Sequence, residues 1–231
     1  MTRYALYFAP PSASLWWQAG CRWLGRDPEG LLEQLDPHAP RRDHARRYGF
    51  HATLKAPFRL VDGVTEAQLL ALVREVVADQ VPLQLQAPAI GLLGDFLALL
   101  VAGPHADSAA LAQRCVSQVD PLRAPPTPSD LTRRRNAGLT ARQNALLQRW
   151  GYPYTEEEFR FHMTLSDSLA MVDPAAIAAM RMAAGLAFAG AMTTPLMLEG
   201  VAVFREDVAG APFRLIARCP FGGAAVSRQP G

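Results

Sequence analysis

Two five-residue segments, Phe50-His51-Ala52-Thr53-Leu54 and Phe161-His162-Met163-Thr164-Leu165, share the pattern Phe-His-x-Thr-Leu in a chain of 231 residues. Both segments are strand-like, and Pro57 ends the first because proline cannot continue a ladder. Side chains of a strand alternate between faces, so His51, Thr53 and Lys55 fall on one side and Phe50, Ala52 and Leu54 on the other. The second copy sorts in the same way, with Arg160, His162, Thr164 and Ser166 opposed to Phe161, Met163 and Leu165. Each strand therefore has a face for a core and a face for chemistry, and the two chemical faces carry the same pair of groups.

The rest of the chain supplies an echoing frame. A strand over 4–9 stops at Pro10-Pro11, a helix follows over 12–24 and ends at Gly25, and the polar stretch 26–47 reads as a loop with one helical turn and an arginine cluster, Arg41, Arg42, Arg46 and Arg47. The motif strand spans 49–58, the clearest helix 65–79, and two strands 81–87 and 95–101. The second half offers helices over 105–119 and 139–150 joined by a proline-rich connector, the second motif strand over 158–166, an alanine-rich helix over 174–187, and closing strands over 195–204 and 212–219. The expectation is a single α+β domain of two lobes, about 1–103 and 104–222, with a flexible tail over 223–231. It would hold two antiparallel sheets related by a pseudo-twofold axis, with helices on the outer faces and a central cleft.

Composition narrows the function. Basic and acidic side chains nearly cancel, 23 against 21, so net charge alone predicts no nucleic-acid partner and suits a small anionic substrate equally well. Cys21, Cys115 and Cys219 are odd in number and scattered, which argues against a disulfide framework or a zinc site; they read as reduced, buried thiols. The first ten residues are too strand-like for a signal peptide, and no run of about 18 apolar residues occurs, so neither secretion nor a membrane span is expected and the cytoplasm is the expected address.

Two histidines and two hydroxyls suit phosphodiester hydrolysis by in-line displacement. One imidazole takes the proton of the attacking oxygen while the other protonates the departing oxygen, a division that a pKa of roughly 6.5 permits near neutral pH. A threonine two residues along donates its hydroxyl to a non-bridging phosphoryl oxygen. Lys55 and Arg160 could add charge-assisted contacts, and Ser166 shares their predicted face. The scheme needs no metal and no cofactor. Which histidine is acid and which is base stays open.

With those residues in view, the chain resembles the two-histidine (2H) phosphoesterase superfamily. One branch, encoded beside carbon–phosphorus lyase genes for phosphonate use, is similar over most of the chain: Arg3-Tyr-Ala5, Tyr48-Gly-Phe-His-Ala-Thr-Leu-Lys-Ala-Pro-Phe58, Leu139-Thr-Ala-Arg-Gln143, Trp150-Gly-Tyr-Pro-Tyr154 and Phe159-Arg-Phe-His-Met-Thr-Leu165. The resemblance implies paired sheets around a cleft, His51, Thr53, His162 and Thr164 as catalytic residues, and action on 2′,3′-cyclic or related cyclic phosphates.

Blander readings accompany each residue. A lone His-x-Thr in a strand is commonly structural, and only the duplication argues otherwise. Arg133, Arg134 and Arg135, with Arg142 and Arg149, read as a solvated helix face before they read as a phosphate clamp or an RNA track. Tyr152 and Tyr154 either line the cleft or pack beside Trp150. His38, His44 and His105 read as surface residues, and Trp16, Trp17 and Trp23 as packing. Two rival functions remain: ligation or cleavage at RNA ends, which needs a long basic groove, and a non-catalytic module that binds a nucleotide or phosphonate intermediate.

Overall fold

The opening strand β1 (Arg3–Phe8) is buried from Tyr4 onward, and the prolines after Ala9 turn the chain into α1 (Leu15–Leu24). Ser14 caps α1 by accepting from the Trp16 amide, and Gly25 ends it in the left-handed conformation. The computed structural model describes residues 1–102, 106–135 and 138–223, apart from the side chain of Arg133. His105 and the tail beyond 223 lie outside those residues.

After α1 come α2 (Asp43–Tyr48), β2 (Ala52–Phe58), α3 (Glu66–Val77), β3 (Leu83–Leu85), β4 (Ala89–Leu93), β5 (Phe96–Leu100), α4 (Ala106–Val119), α5 (Pro128–Arg135), α6 (Ala141–Trp150), β6 (His162–Thr164), α7 (Pro174–Phe188), β7 (Leu196–Leu198), β8 (Gly200–Glu206) and β9 (Arg214–Pro220). A capping box at Thr65 and Gln68 starts α3 and another at Thr140 and Gln143 starts α6, as the helical patterns required. Helix α5 lies within the stretch read as a connector; Pro128 opens it, at the position where a missing N–H costs a helix nothing.

The expected mixed α+β architecture with two antiparallel sheets is present, and the sheets are unequal. Seven strands run in the order β4-β5-β6-β2-β1-β8-β9, and β3 pairs with β7 in a two-stranded sheet. Strand pairing crosses the middle of the chain both ways: β5 joins β6, and β8 joins β1. Strand β4 fills the interval left between the expected strands over 81–87 and 95–101, and it runs through Gly91. Gly91 pairs with Ala98, and a Cβ there would meet the Leu100 side chain at 3.0 Å.

The motif phenylalanines anchor the core. Phe50 is fully buried against Phe188 of α7, with ring centroids 5.5 Å apart, and Phe161 lies 5.8 Å from Phe8. Gly20 of α1 leaves room for the Phe50 ring, which a Cβ at that position would overlap. Helix α3 packs on β8 and β9, α4 on β2, and α7 on β4 and α1. All three cysteines are buried and free, and Trp16, Trp17 and Trp23 are buried. Among the described residues no helix is long and apolar enough to cross a membrane.

Candidate active site

The two motifs meet at the centre of the large sheet, where β2 and β6 run antiparallel with Ala52 opposite Met163. That register sets His51 beside Thr164 and Thr53 beside His162, on the order of 5 Å apart at Cβ. Ala52 and Met163 are buried, so alternation turns all four polar side chains to the opposite side. There His51, Thr53, His162 and Thr164 line one cavity of about 890 Å³.

Each imidazole is oriented by the chain just before it. His51 Nδ1 lies 2.8 Å from the Gly49 carbonyl, and His162 Nδ1 lies 2.7 Å from the Arg160 carbonyl. A carbonyl can only accept, so both rings carry their proton on Nδ1 and leave Nε2 as the basic nitrogen. Thr53 Oγ1 is 3.2 Å from His51 Nε2 and donates to it in that tautomer. The Gly49 carbonyl is aimed by a backbone conformation, φ 80° and ψ 178°, that side-chain-bearing residues scarcely adopt, and a Cβ there would strike Pro28 at 2.3 Å.

The two histidines differ in surroundings. Tyr7, opposite Thr53 on β1, stacks on His51 with centroids 3.7 Å apart. Burial pushes the His51 pKa down to about 4, against the pull of the Gly49 carbonyl and aided by nearby His162. His162 has Phe96 at 5.7 Å, tilted rather than stacked; burial lowers its pKa also, but less far.

The four further residues predicted to contact substrate lie outside the cavity. Lys55 is buried and donates to the Val116 carbonyl at 3.0 Å and to Asp120 at 3.2 Å. Register breaks between β1 and β2 explain this: Tyr7 pairs with Thr53 and the adjacent Leu6 with Lys55, so an extra residue on β2 turns Lys55 from the motif's face. Strand β6 is three residues long, so alternation reaches neither Arg160 nor Ser166. Arg160 is exposed and bonds the Glu157 and Phe159 carbonyls, while Ser166 is buried between the Leu97 amide and the Asp167 carbonyl. Tyr154 is exposed and packs edge-on against Tyr152, and of the two only Tyr152 lines the cavity.

Other residues that sequence reading did not assign to the site complete the wall. Arg3, Tyr7, Arg47 and Tyr48 line it. Arg3 and Tyr7 share a face of β1 by alternation, a signal that was present in the sequence. Arg47 came from a cluster whose members diverge: Arg42 bonds the Trp23 carbonyl and Arg46 the Leu24 and Ala39 carbonyls, and neither lines the cavity. His44 is exposed, as expected, yet lies on the cavity wall. The arginine run also divides. Arg134 faces the cavity, with its guanidinium 5.0 Å from the Tyr152 ring, whereas Arg142 pairs with Glu156 and Glu157 and Arg149 with Glu156. Glu156 and Glu157 thus answer the charge of Arg142 and Arg149.

Among known proteins, the chain is 50% identical over 233 residues to "Ribose 1,5-bisphosphate phosphokinase PhnN" of Janthinobacterium sp. (strain Marseille), covering 96% of this chain and 51% of that protein. A protein of the same name from Laribacter hongkongensis (strain HLHK9) is 40% identical over 220 residues, covering 92% of this chain and 50% of its own length. The chain thus spans about half the length of these curated relatives. Solved structures similar to it include one described as a phosphoesterase, at 14% identity and TM-score 0.45 over 96% of this chain and 99% of the other. Another is E. coli LigT complexed with NADP+, at 15% identity and TM-score 0.47 over 95% of this chain and 97% of the other. The model of one family matches residues 53–214, and the chain belongs to that family, described as "Protein of unknown function (DUF1045)".

Proposed function

We propose that this chain is a metal-independent phosphoesterase that opens a small cyclic phosphodiester. The observation that carries the reading is the matched pair of imidazoles, each locked by a carbonyl two residues upstream and each lining the same cavity beside the other motif's threonine. His51 is the general base, because burial under Tyr7 keeps it neutral with a free electron pair on Nε2. His162, depressed less, is the general acid. A bound phosphodiester anion raises the proton affinity of both rings.

In the reaction water attacks phosphorus and yields a proton to His51 Nε2. The ring P–O bond breaks, and the departing sugar oxygen takes a proton from Nε2 of His162, which enters this step as the imidazolium, protonated on both nitrogens beside the bound anion. The product is a phosphomonoester with a free hydroxyl, and proton exchange with solvent resets the pair. The Thr53 hydroxyl leaves His51 for a non-bridging oxygen, and Thr164 serves the other side.

The relatives' name concerns a phosphokinase acting on ribose 1,5-bisphosphate. Lys55 is the chain's only lysine, it is buried against Asp120, and no Gly-x-x-x-x-Gly-Lys segment occurs. We therefore assign the kinase reaction to the other half of those proteins. A ribose cyclic phosphate is the favoured substrate for this half, since its opening yields a phosphorylated ribose.

The test is a ³¹P NMR screen of purified protein, with chelator present, against ribose 1,2-cyclic and nucleoside 2′,3′-cyclic phosphates. Wild type should convert at least one to a monoester, and His51→Ala or His162→Ala should lower the rate by about 10² to 10⁴. No turnover of any cyclic phosphate, or full activity in the double variant, would sink the proposal.

A further inference from the structure

Glu206, at the end of β8, is fully buried behind the cavity wall, and it holds two arginines that line that wall. Arg3 donates through Nε to one carboxylate oxygen, while Arg47 Nη2 and the Gly210 amide, at 3.0 Å, donate to the other. Burial alone would raise the Glu206 pKa, but the two guanidiniums hold it below the ordinary carboxylate value. Two fixed positive charges therefore answer one negative charge, and the cluster keeps a net charge of about +1 beside the cavity.

Each arginine gives Glu206 a single N–H rather than the paired fork that a purely structural anchor favours. Arg47 also donates through Nε to the Ala211 carbonyl at 3.2 Å. Both terminal nitrogens of Arg3 and Nη1 of Arg47 lack a protein partner among the described residues, and both side chains line the cavity. Their planes rest on aromatic rings: Arg3 is 5.7 Å from the Phe213 centroid and Arg47 is 5.4 Å from that of Tyr48, while Tyr48 and Phe213 stack 5.0 Å apart. The Tyr48 centroid is in turn 6.2 Å from that of His51. The pair is thus rigid and over-charged, and within the one cavity the Tyr48 ring stands next to both Arg47 and His51.

From this geometry we infer that Arg3 and Arg47 form a second anion subsite that takes a phosphomonoester, so that the substrate carries a terminal phosphate in addition to the ester that is opened. The inference rests on the phosphoesterase reading for the identity of that second ester, though not for the subsite itself. A phosphomonoester dianion offers three acceptor oxygens to the three open guanidinium nitrogens, and its charge answers the excess positive charge of the cluster.

The experiment uses matched ligands, a nucleoside 2′,3′-cyclic phosphate with and without a 5′-phosphate. Calorimetry on the His162→Ala protein reads binding, and turnover by wild type is measured separately. The 5′-phosphorylated ligand should bind about 10- to 100-fold more tightly, the worth of added hydrogen bonds to a charged group. Arg47→Gln and Arg3→Gln should bring the ratio between the two ligands toward one, and Arg47→Lys should restore part of it. Equal affinity for the two ligands overturns the subsite, whether or not an arginine variant folds. Absent turnover with the affinity ratio intact overturns the phosphoesterase reading alone.

Discussion

Tyr7 lies face to face with His51, ring centroids 3.7 Å apart and planes 27° apart, so the more perturbed imidazole of the pair is clamped between an aromatic face and the carbonyl of Gly49. The stack removes water from one side of the ring, and burial as a whole is the largest cause of its low pKa. Tyr7→Leu removes the flat cover and admits water. The His51 pKa, followed by NMR of its ring protons, should climb from about 4 toward its ordinary value. The rate should fall by about 10², the scale of a small misplacement of a catalytic group. Tyr7→Phe keeps the stack and should keep the pKa low. An unmoved pKa in the leucine variant would show that the stack is incidental.

Gly49 controls the other contact. Its φ of 80° is open to glycine, and the space where a side chain would begin is filled by Pro28. Gly49→Ala must twist the peptide that carries the His51 acceptor. Loss of that acceptor frees the ring to rotate and to exchange tautomers, so kcat should fall about 10-fold or more while a cyclic phosphate still binds in the cavity. Unchanged kcat with a folded protein would mean that the carbonyl does not position His51.

Acid should destabilise the fold earlier than its carboxylates would dictate. An unfolded chain protonates His51 near pH 6.5, whereas the folded chain resists until about pH 4. Between those values the unfolded state binds more protons, so stability is complete above pH 6.5 and drains as pH falls through the window. His162, also lowered, acts in the same direction. Glu206 and Asp120, held below their ordinary values, give up their contributions at lower pH still. Urea unfolding at pH 7 and pH 5 should show a loss on the order of 2 kcal/mol in wild type and a smaller one in His51→Gln. Equal losses in both proteins would contradict the assignment.

The repeat revealed the centre of the site because its information is local. A Phe-His-x-Thr-Leu strand carries its own division into faces, and β2 and β6 need only pair antiparallel for the histidines and threonines to meet. The helices α3 and α6 were legible for the same reason, since the apolar periodicity of each is written within its own few turns. What failed depended on partners distant in sequence. The register breaks against β1 turned Lys55 inward, the shortness of β6 released Arg160 and Ser166, and the pairing of β4 with β5 drew Gly91 into a strand. Arg3, Arg47 and Glu206 come from three separate stretches of the chain, and no short pattern links them.

Lys55 offers the sharpest test of that difference, because alternation assigns it to substrate and the structure assigns it to the fold. Its ammonium is sealed between the Val116 carbonyl and Asp120, and burial lowers its pKa to about 8 although Asp120 opposes the shift. Lys55→Met removes the charge together with the need to bury it. Asp120 retains Arg123, which donates to it at 2.7 and 3.1 Å, so the variant should lose about 1 kcal/mol. Asp120→Ala instead strands a buried ammonium and should lose about 3 kcal/mol. In wild type the folded lysine sheds its proton above about pH 8 and the unfolded one near 10.5, so stability should rise through that window; in Asp120→Ala the rise should begin at lower pH, because Asp120 holds the lysine's pKa up, and Lys55→Met should show no such rise. Denaturant titrations establish the order of the three proteins. The decisive measurement is kcat/KM of Lys55→Met on whichever cyclic phosphate the wild type opens: a value within about twofold of wild type fits a lysine that holds β2 to α4, whereas a loss near 10² in a folded protein would return Lys55 to the substrate.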